Sequence, residues 1–118
     1  MKEGVSIIIP TWNGGQLFHD CLEMIRQQGY EGPIQLMVID SGSSDGTPDL
    51  AAKMGAAVYR INKRRFHHAR TRNEALRGTG FERVVFMVQD AVPVSTGWLS
   101  GLVAALDGSG AAAVYTDQ

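Results

Sequence analysis

The sequence predicts an α/β fold with a mostly parallel sheet and flanking helices, and two observations carry that prediction. Short apolar runs end abruptly in small, polar, turn-forming residues: Val5–Ile9 before Pro10-Thr11-Trp12-Asn13, and Ile34–Ile39 before Asp40-Ser41-Gly42-Ser43-Ser44-Asp45-Gly46-Thr47. Buried parallel strands read this way, and open α/β sheets bind ligands at the carboxyl ends of such strands. Helix-like stretches alternate with the runs, which is the pattern of strands joined by right-handed crossovers.

Each element follows in order. Val5–Ile9 is the first strand. Leu17, Cys21, Met24, Ile25 and Gln28 fall at helical spacing, and the helix they form is expected to stop at Gly29. Gly32-Pro33 punctuates before the second strand, Ile34–Ile39. Thr47-Pro48-Asp49 supplies a capping hydroxyl, a proline for the first turn and an acid, so a second helix opens there and ends near Gly55. Ala57–Ile61 is a third strand, Arg70–Arg77 a helix stopped by Gly78, and Val84–Val88 a fourth strand. Trp98, Leu99, Leu102, Val103 and Leu106 stripe another helix, with Ser95 or Thr96 as its cap, and Ala111–Tyr115 makes a last strand. No repeat, low-complexity tract or linker interrupts residues 1–118, so one domain is expected.

Bulk properties narrow the function classes. At 118 residues with 44% apolar and 19% charged residues, the chain has the composition of a globular domain with a real core. A net charge of −1 gives no long-range pull toward nucleic acid or anionic membrane. Cys21 is the only cysteine, so no internal disulfide forms and a cytoplasmic location is expected. Membrane association is expected only through parts of a longer parent chain, since no segment approaches the roughly 20 apolar residues of a span.

Several residues carry chemistry. Trp12 offers a flat face for a base, or packs beneath its loop. Asp40 follows an apolar run, where an ionised carboxylate needs donors: the imide N–H of a pyrimidine, or the N–H groups of an Asx-type turn. Asp45 reads as loop structure. Arg60, Lys63, Arg64, Arg65, Arg70, Arg72 and Arg77 are seven of the eleven basic residues, gathered where a diphosphate or phosphorylated acceptor is gripped or a helix face is solvated. Asp90, after the fourth strand, is placed to cap the turn before Pro93. The zinc-ligand spacings are missing among His19, Cys21, His67 and His68. If the strand order is 3-2-1-4, Thr11–Asn13, Asp40 and Asp90 emerge together at one sheet edge.

These motifs resemble those of family 2 glycosyltransferases. Pro10-Thr11-Trp12-Asn13 is similar to the P-T-aromatic-N motif, and Asp40–Thr47 to D-x-G-S-x-D-G-T. Phe66-His67-His68-Ala69-Arg70-Thr71-Arg72-Asn73 resembles the F-N-H-x-x-T-R-N element of rhamnosyltransferase-like members, with His67 in place of Asn. Gln89-Asp90-Ala91-Val92-Pro93 is similar to the same branch. The resemblance implies the GT-A fold, a Rossmann-like nucleotide-diphospho-sugar transferase architecture, and an inverting enzyme of polysaccharide biosynthesis. That enzyme takes a sugar, rhamnose included, from a dTDP- or UDP-sugar to a saccharide or lipid-linked acceptor. It implies donor-binding roles for Pro10, Thr11, Trp12, Asn13, Asp40, Ser41, Arg72, Asn73 and Asp90. It also implies a divalent cation, Mg²⁺ or Mn²⁺, on Asp90. Val88 stands where the family's D-x-D motif has its first acid. In the family the general base lies further along the chain, so these residues are expected to be the N-terminal, donor-binding part of a longer enzyme, truncated at its C-terminus and able to bind a donor without turning it over.

Two other classes fit some residues. The missing first acid and base suit a non-catalytic nucleotide-sugar-binding or assembly domain, which transfer by a full-length parent would exclude. The basic segment suits a nucleic-acid binder, which the near-neutral charge argues against and salt-dependent oligonucleotide binding would reveal. The lack of a G-x-G-x-x-G after the first strand argues against a nicotinamide-dependent dehydrogenase.

Overall fold

Apolar runs become the strands of one parallel sheet. The computed structural model describes residues 3–62, 68–109 and 113–116. Its elements are β1 (Val5–Thr11), α1 (Gly15–Arg26), β2 (Ile34–Asp40), α2 (Thr47–Lys53), β3 (Ala57–Arg60), α3 (His68–Arg77), β4 (Arg83–Met87), α4 (Trp98–Ser109) and β5 (Ala113–Thr116). The sheet order is β3-β2-β1-β4-β5 with every pairing parallel. The expected order 3-2-1-4 is therefore observed, and β5 extends it beyond β4.

Both faces of the sheet are covered, which is why its central strands are apolar on both sides. Val5, Ile7 and Ile9 of β1 face Phe18, Cys21, Leu22 and Ile25 of α1, Ala51 of α2, and Leu99 and Val103 of α4. Ile8, Met37, Ile39, Val84 and Phe86 face the other way, onto Ala75 of α3. The switch of face at α3 follows from handedness: the chain has moved outward from β1 to β3 and must return across the sheet to β4. The last step is an exception to the expected right-handed rule. It continues outward to β5, but α4 lies on the α1 face, where Leu99 and Val103 join the α1 core, so the β4–α4–β5 connection has the opposite hand.

Helix positions follow the sequence, and some details are corrected by packing. The core stripe of α1 is Phe18, Cys21, Leu22 and Ile25, at positions i, i+3, i+4 and i+7, while Leu17 is exposed. The helix ends at Arg26, before Gly29. Thr47 is the first residue of α2, not its cap. Its N–H donates to the Asp45 carboxylate at 3.1 Å, and Gly46 between them takes a left-handed φ of 86° that glycine adopts freely. Gln28, not Ser95 or Thr96, satisfies the start of α4. Its Oε1 accepts from the Leu99 N–H at 2.9 Å, while its Nε2 donates to the Ser95 and Met24 carbonyls. A side chain after α1 thus holds α4 in place.

Candidate functional site

The site is built where β1 ceases to pair with β4. The β1–β2 ladder runs from Val5↔Ile34 to Thr11↔Asp40, whereas the β1–β4 ladder stops at Ile8↔Phe86. Beyond Ile8 the two strands no longer pair, and β4 ends at Met87. The chain also reverses direction here, with β2 and β3 on one side of β1 and β4 on the other, so this is the topological switch point of the sheet. Pro10, half-buried within β1, has no N–H to offer a strand neighbour.

Asp40 is the centre of a buried polar network. It is 1% exposed, and its carboxylate accepts four hydrogen bonds. Oδ1 takes the Thr11 hydroxyl at 2.8 Å and the Ser43 hydroxyl, and Oδ2 takes the Gly42 and Ser43 N–H groups at 3.1 and 2.8 Å. Burial pushes the Asp40 carboxyl upward, but the Ser43 donors, then Thr11 and Gly42, outweigh it and hold the group below its ordinary value of 3.8. Four bonds fill the acceptor capacity of a carboxylate, so in this arrangement Asp40 organises its loop instead of presenting a free edge to a base. Thr11 and Ser41 are buried with it, and the Ser41 N–H and hydroxyl both donate to the Thr11 carbonyl, at 3.0 and 3.2 Å.

Asn13 and Asp45 fasten the β1–α1 loop to the β2–α2 loop. Asn13 holds a φ of 46°, a left-handed value that asparagine tolerates better than most residues. Its N–H donates to the Ser43 hydroxyl and its side-chain oxygen accepts the Ser44 N–H, each at 2.8 Å. The Gly14 N–H donates to the Thr47 hydroxyl at 3.1 Å, and the Gly15 N–H to Asp45 at 3.2 Å. The structural role read for Asp45 is the one it occupies.

Trp12 is 45% exposed at the mouth of this junction. Its peptide is held by the Gln89 side chain: the Trp12 N–H donates to Oε1 at 2.8 Å, and Nε2 donates to the Trp12 carbonyl at 3.0 Å. Asp90 comes next, exposed in the turn that closes with the Ala91 N–H on the Val88 carbonyl. The negative charge of Asp90 reaches α1. Burial first, and Asp90 second, push the Cys21 thiol up to about 12. Trp12 and Asp90 thus follow the ends of β1 and β4, joined by one amide. Sequence reading placed both but missed Gln89. The signal for it lies in Pro10: β4 no longer pairs on that side of β1, so the next residue facing it needs a partner from elsewhere.

Asn73 is exposed on α3, and the Arg72 side chain lies outside the described residues, as do Lys63–His67. Among the described residues, no three His, Cys, Asp or Glu side chains gather into a metal cluster. A cation held at this edge would have the Asp90 carboxylate as its protein ligand and would take the others from a bound diphosphate and water. No helix among the described residues is long and apolar enough to cross a membrane.

Comparison with known proteins agrees with the architecture. The family described as "Glycosyl transferase family 2" matches residues 6–117. The chain is 37% identical over 101 residues to the O-antigen chain rhamnosyltransferase RfbN of Salmonella typhimurium, covering 84% of this chain and 32% of that protein. It is 31% identical over 119 residues to the O-antigen chain rhamnosyltransferase WbaN of Salmonella anatum, covering 96% and 36%. The chain thus spans about a third of the length of these curated relatives. Among solved structures, the mannosyltransferase PcManGT of Pyrobaculum calidifontis, in complex with GDP-Man and Mn²⁺, superposes with a TM-score of 0.72 at 31% identity, over 86% of this chain and 32% of that one. With a nucleotide-diphospho-sugar transferase architecture of the GT-A type and a family match across nearly its whole length, this chain belongs to glycosyl transferase family 2.

Proposed function

We propose that these residues form the donor-binding part of an inverting glycosyltransferase. Its donor is a nucleoside diphosphate sugar, and rhamnose is the transferred sugar that the two Salmonella relatives support. The observation that carries the reading is the end of the β1–β4 pairing at Ile8, beyond which an exposed Trp12 and an exposed Asp90 stand at the sheet edge. The base stacks on Trp12, and the diphosphate lies toward Asp90. Arg72 and Asn73 serve the donor from α3. Thr11, Asn13, Asp40 and Ser41 act one step back, by fixing the two loops that carry the site. A cation on Asp90, when bound, neutralises charge on the departing diphosphate. The acceptor is a saccharide or a lipid-linked saccharide, and the general base is supplied from beyond these residues. The protein works on the cytoplasmic side of the membrane.

Calorimetric titration of this chain with UDP, dTDP and GDP, with and without Mn²⁺ or Mg²⁺, tests the proposal. Metal-enhanced binding of at least one nucleotide is expected, with a pyrimidine nucleotide preferred. Trp12→Ala is expected to weaken that binding by roughly tenfold or more, since base–aromatic stacking is worth about 1–3 kcal/mol. Equal affinity in the variant would remove Trp12 from the base site, and no nucleotide binding under any condition would overturn the donor-site reading.

A further inference from the structure

Strand geometry turns the backbone of one site residue toward the end of β4. The Val5 N–H donates toward β2, to the Pro33 carbonyl, and the Thr11 carbonyl accepts from Ser41 on the same side. Odd-numbered residues of β1 therefore address β2, and alternation along a strand turns the even-numbered ones toward β4. The β4 ladder ends at Ile8↔Phe86, so residues 10 and 12 face a gap. At residue 10 proline has no N–H to satisfy. At residue 12 both the N–H and the carbonyl remain.

Gln89 fills the gap. A primary amide carries one carbonyl and one N–H₂ group, so it can meet both the N–H and the carbonyl of a single residue where no strand pairs with it. Its bonds to the Trp12 N–H and carbonyl, at 2.8 and 3.0 Å, form such a pair. The neighbouring residue leaves it room: a Cβ on Gly14 would sit 3.1 Å from Gln89 Oε1 and 2.6 Å from the Phe18 Cβ. Glutamine is next in the chain to Asp90, so this one side chain ties the tryptophan peptide to the carboxylate turn.

We infer that Gln89 is a positioning residue for the donor: by clamping the Trp12 peptide it sets the separation between the base-stacking face and the Asp90 end of the site. The inference rests on the donor-binding reading of that site. It concerns a side chain that touches the Trp12 backbone and acts on the ligand through it.

The test uses a Trp98→Phe background, which leaves Trp12 as the only tryptophan of the two. Gln89→Met keeps the length of the side chain and removes both hydrogen bonds. Gln89→Asn keeps the amide and shortens its reach, and it serves if the methionine variant does not fold. Either variant is expected to lower the fluorescence anisotropy of Trp12 while the urea midpoint moves little, and to weaken nucleoside diphosphate binding about tenfold, the effect of one to two net hydrogen bonds. In a double-mutant cycle with Trp12→Ala the loss should not add, because Gln89 acts through Trp12. Unchanged anisotropy, or fully additive losses, would overturn the assignment. If the parent binds no nucleotide the donor reading fails, and the anisotropy comparison alone still decides whether Gln89 holds Trp12 in place.

Discussion

Asp40→Ala should cost this fold on the order of 3–5 kcal/mol, a large part of the stability of a typical domain. The carboxylate is 1% exposed and is the common acceptor for Thr11, Gly42 and Ser43. Its removal leaves the donors of a buried loop without a partner, at roughly 1–3 kcal/mol for each one that water cannot reach. Asp40→Asn should cost less, because its amide oxygen can take the two backbone N–H groups while its N–H₂ donates to the Thr11 and Ser43 hydroxyls, which turn to accept. Urea denaturation of the variants gives the cost, and a loss below about 1 kcal/mol in Asp40→Ala would show that water replaces the carboxylate. Acid provides a second measure. The folded-state pKa of Asp40 lies below its ordinary value of 3.8, so the stability it contributes is complete above that value and is lost as pH falls through the lower, folded one. Wild-type stability should fall in this acid range, and Asp40→Asn should lack that component of the fall.

The largest functional effect belongs to Asp90→Ala. If Asp90 contributes the protein's carboxylate to a cation shared with the donor diphosphate, nucleotide affinity in the variant should no longer respond to Mn²⁺ or Mg²⁺. The parent should gain about tenfold or more from the metal, because the ion bridges two negative partners. Asp90 is exposed, so the substitution should leave the urea midpoint nearly unchanged. An unaltered metal response in a folded variant would take Asp90 out of the site and leave the cation to the phosphates alone.

Element order was legible because it depends on local pattern. Alternating apolar runs and helical stripes foretold β1 to β4, and Leu99, Val103 and Leu106 form the buried stripe expected of α4. What the sequence hid depends on partners far away along the chain. Asp40 read as a base contact because the hydroxyl that Thr11, 29 residues earlier, donates to it is invisible until β1 and β2 pair. Gln28 as the cap of α4, and Gln89 as the clamp of Trp12, lie 71 and 77 residues from the groups they satisfy. Gln28 sits at the helical spacing read for α1 and Gln89 in no periodic pattern, and glutamine has no local preference that would mark either role. The exposed Leu17 shows the converse: apolar character at helical spacing placed it in the core, and the position of α1 over β1 chose Phe18 instead.

The lone thiol of α1 has a use unrelated to sugar transfer. Cys21 is fully buried, and burial with the nearby Asp90 charge pushes its thiol up to about 12, so the reactive thiolate is scarce at neutral pH. In the unfolded chain it returns to its ordinary value of 9.0 and becomes accessible, so both ionisation and exposure favour reaction there. An alkylating reagent should therefore react only with molecules in which α1 has lifted from the sheet. With one cysteine in the whole sequence, the rate of modification is a clock for that opening event, native to the chain and readable by mass without any introduced label.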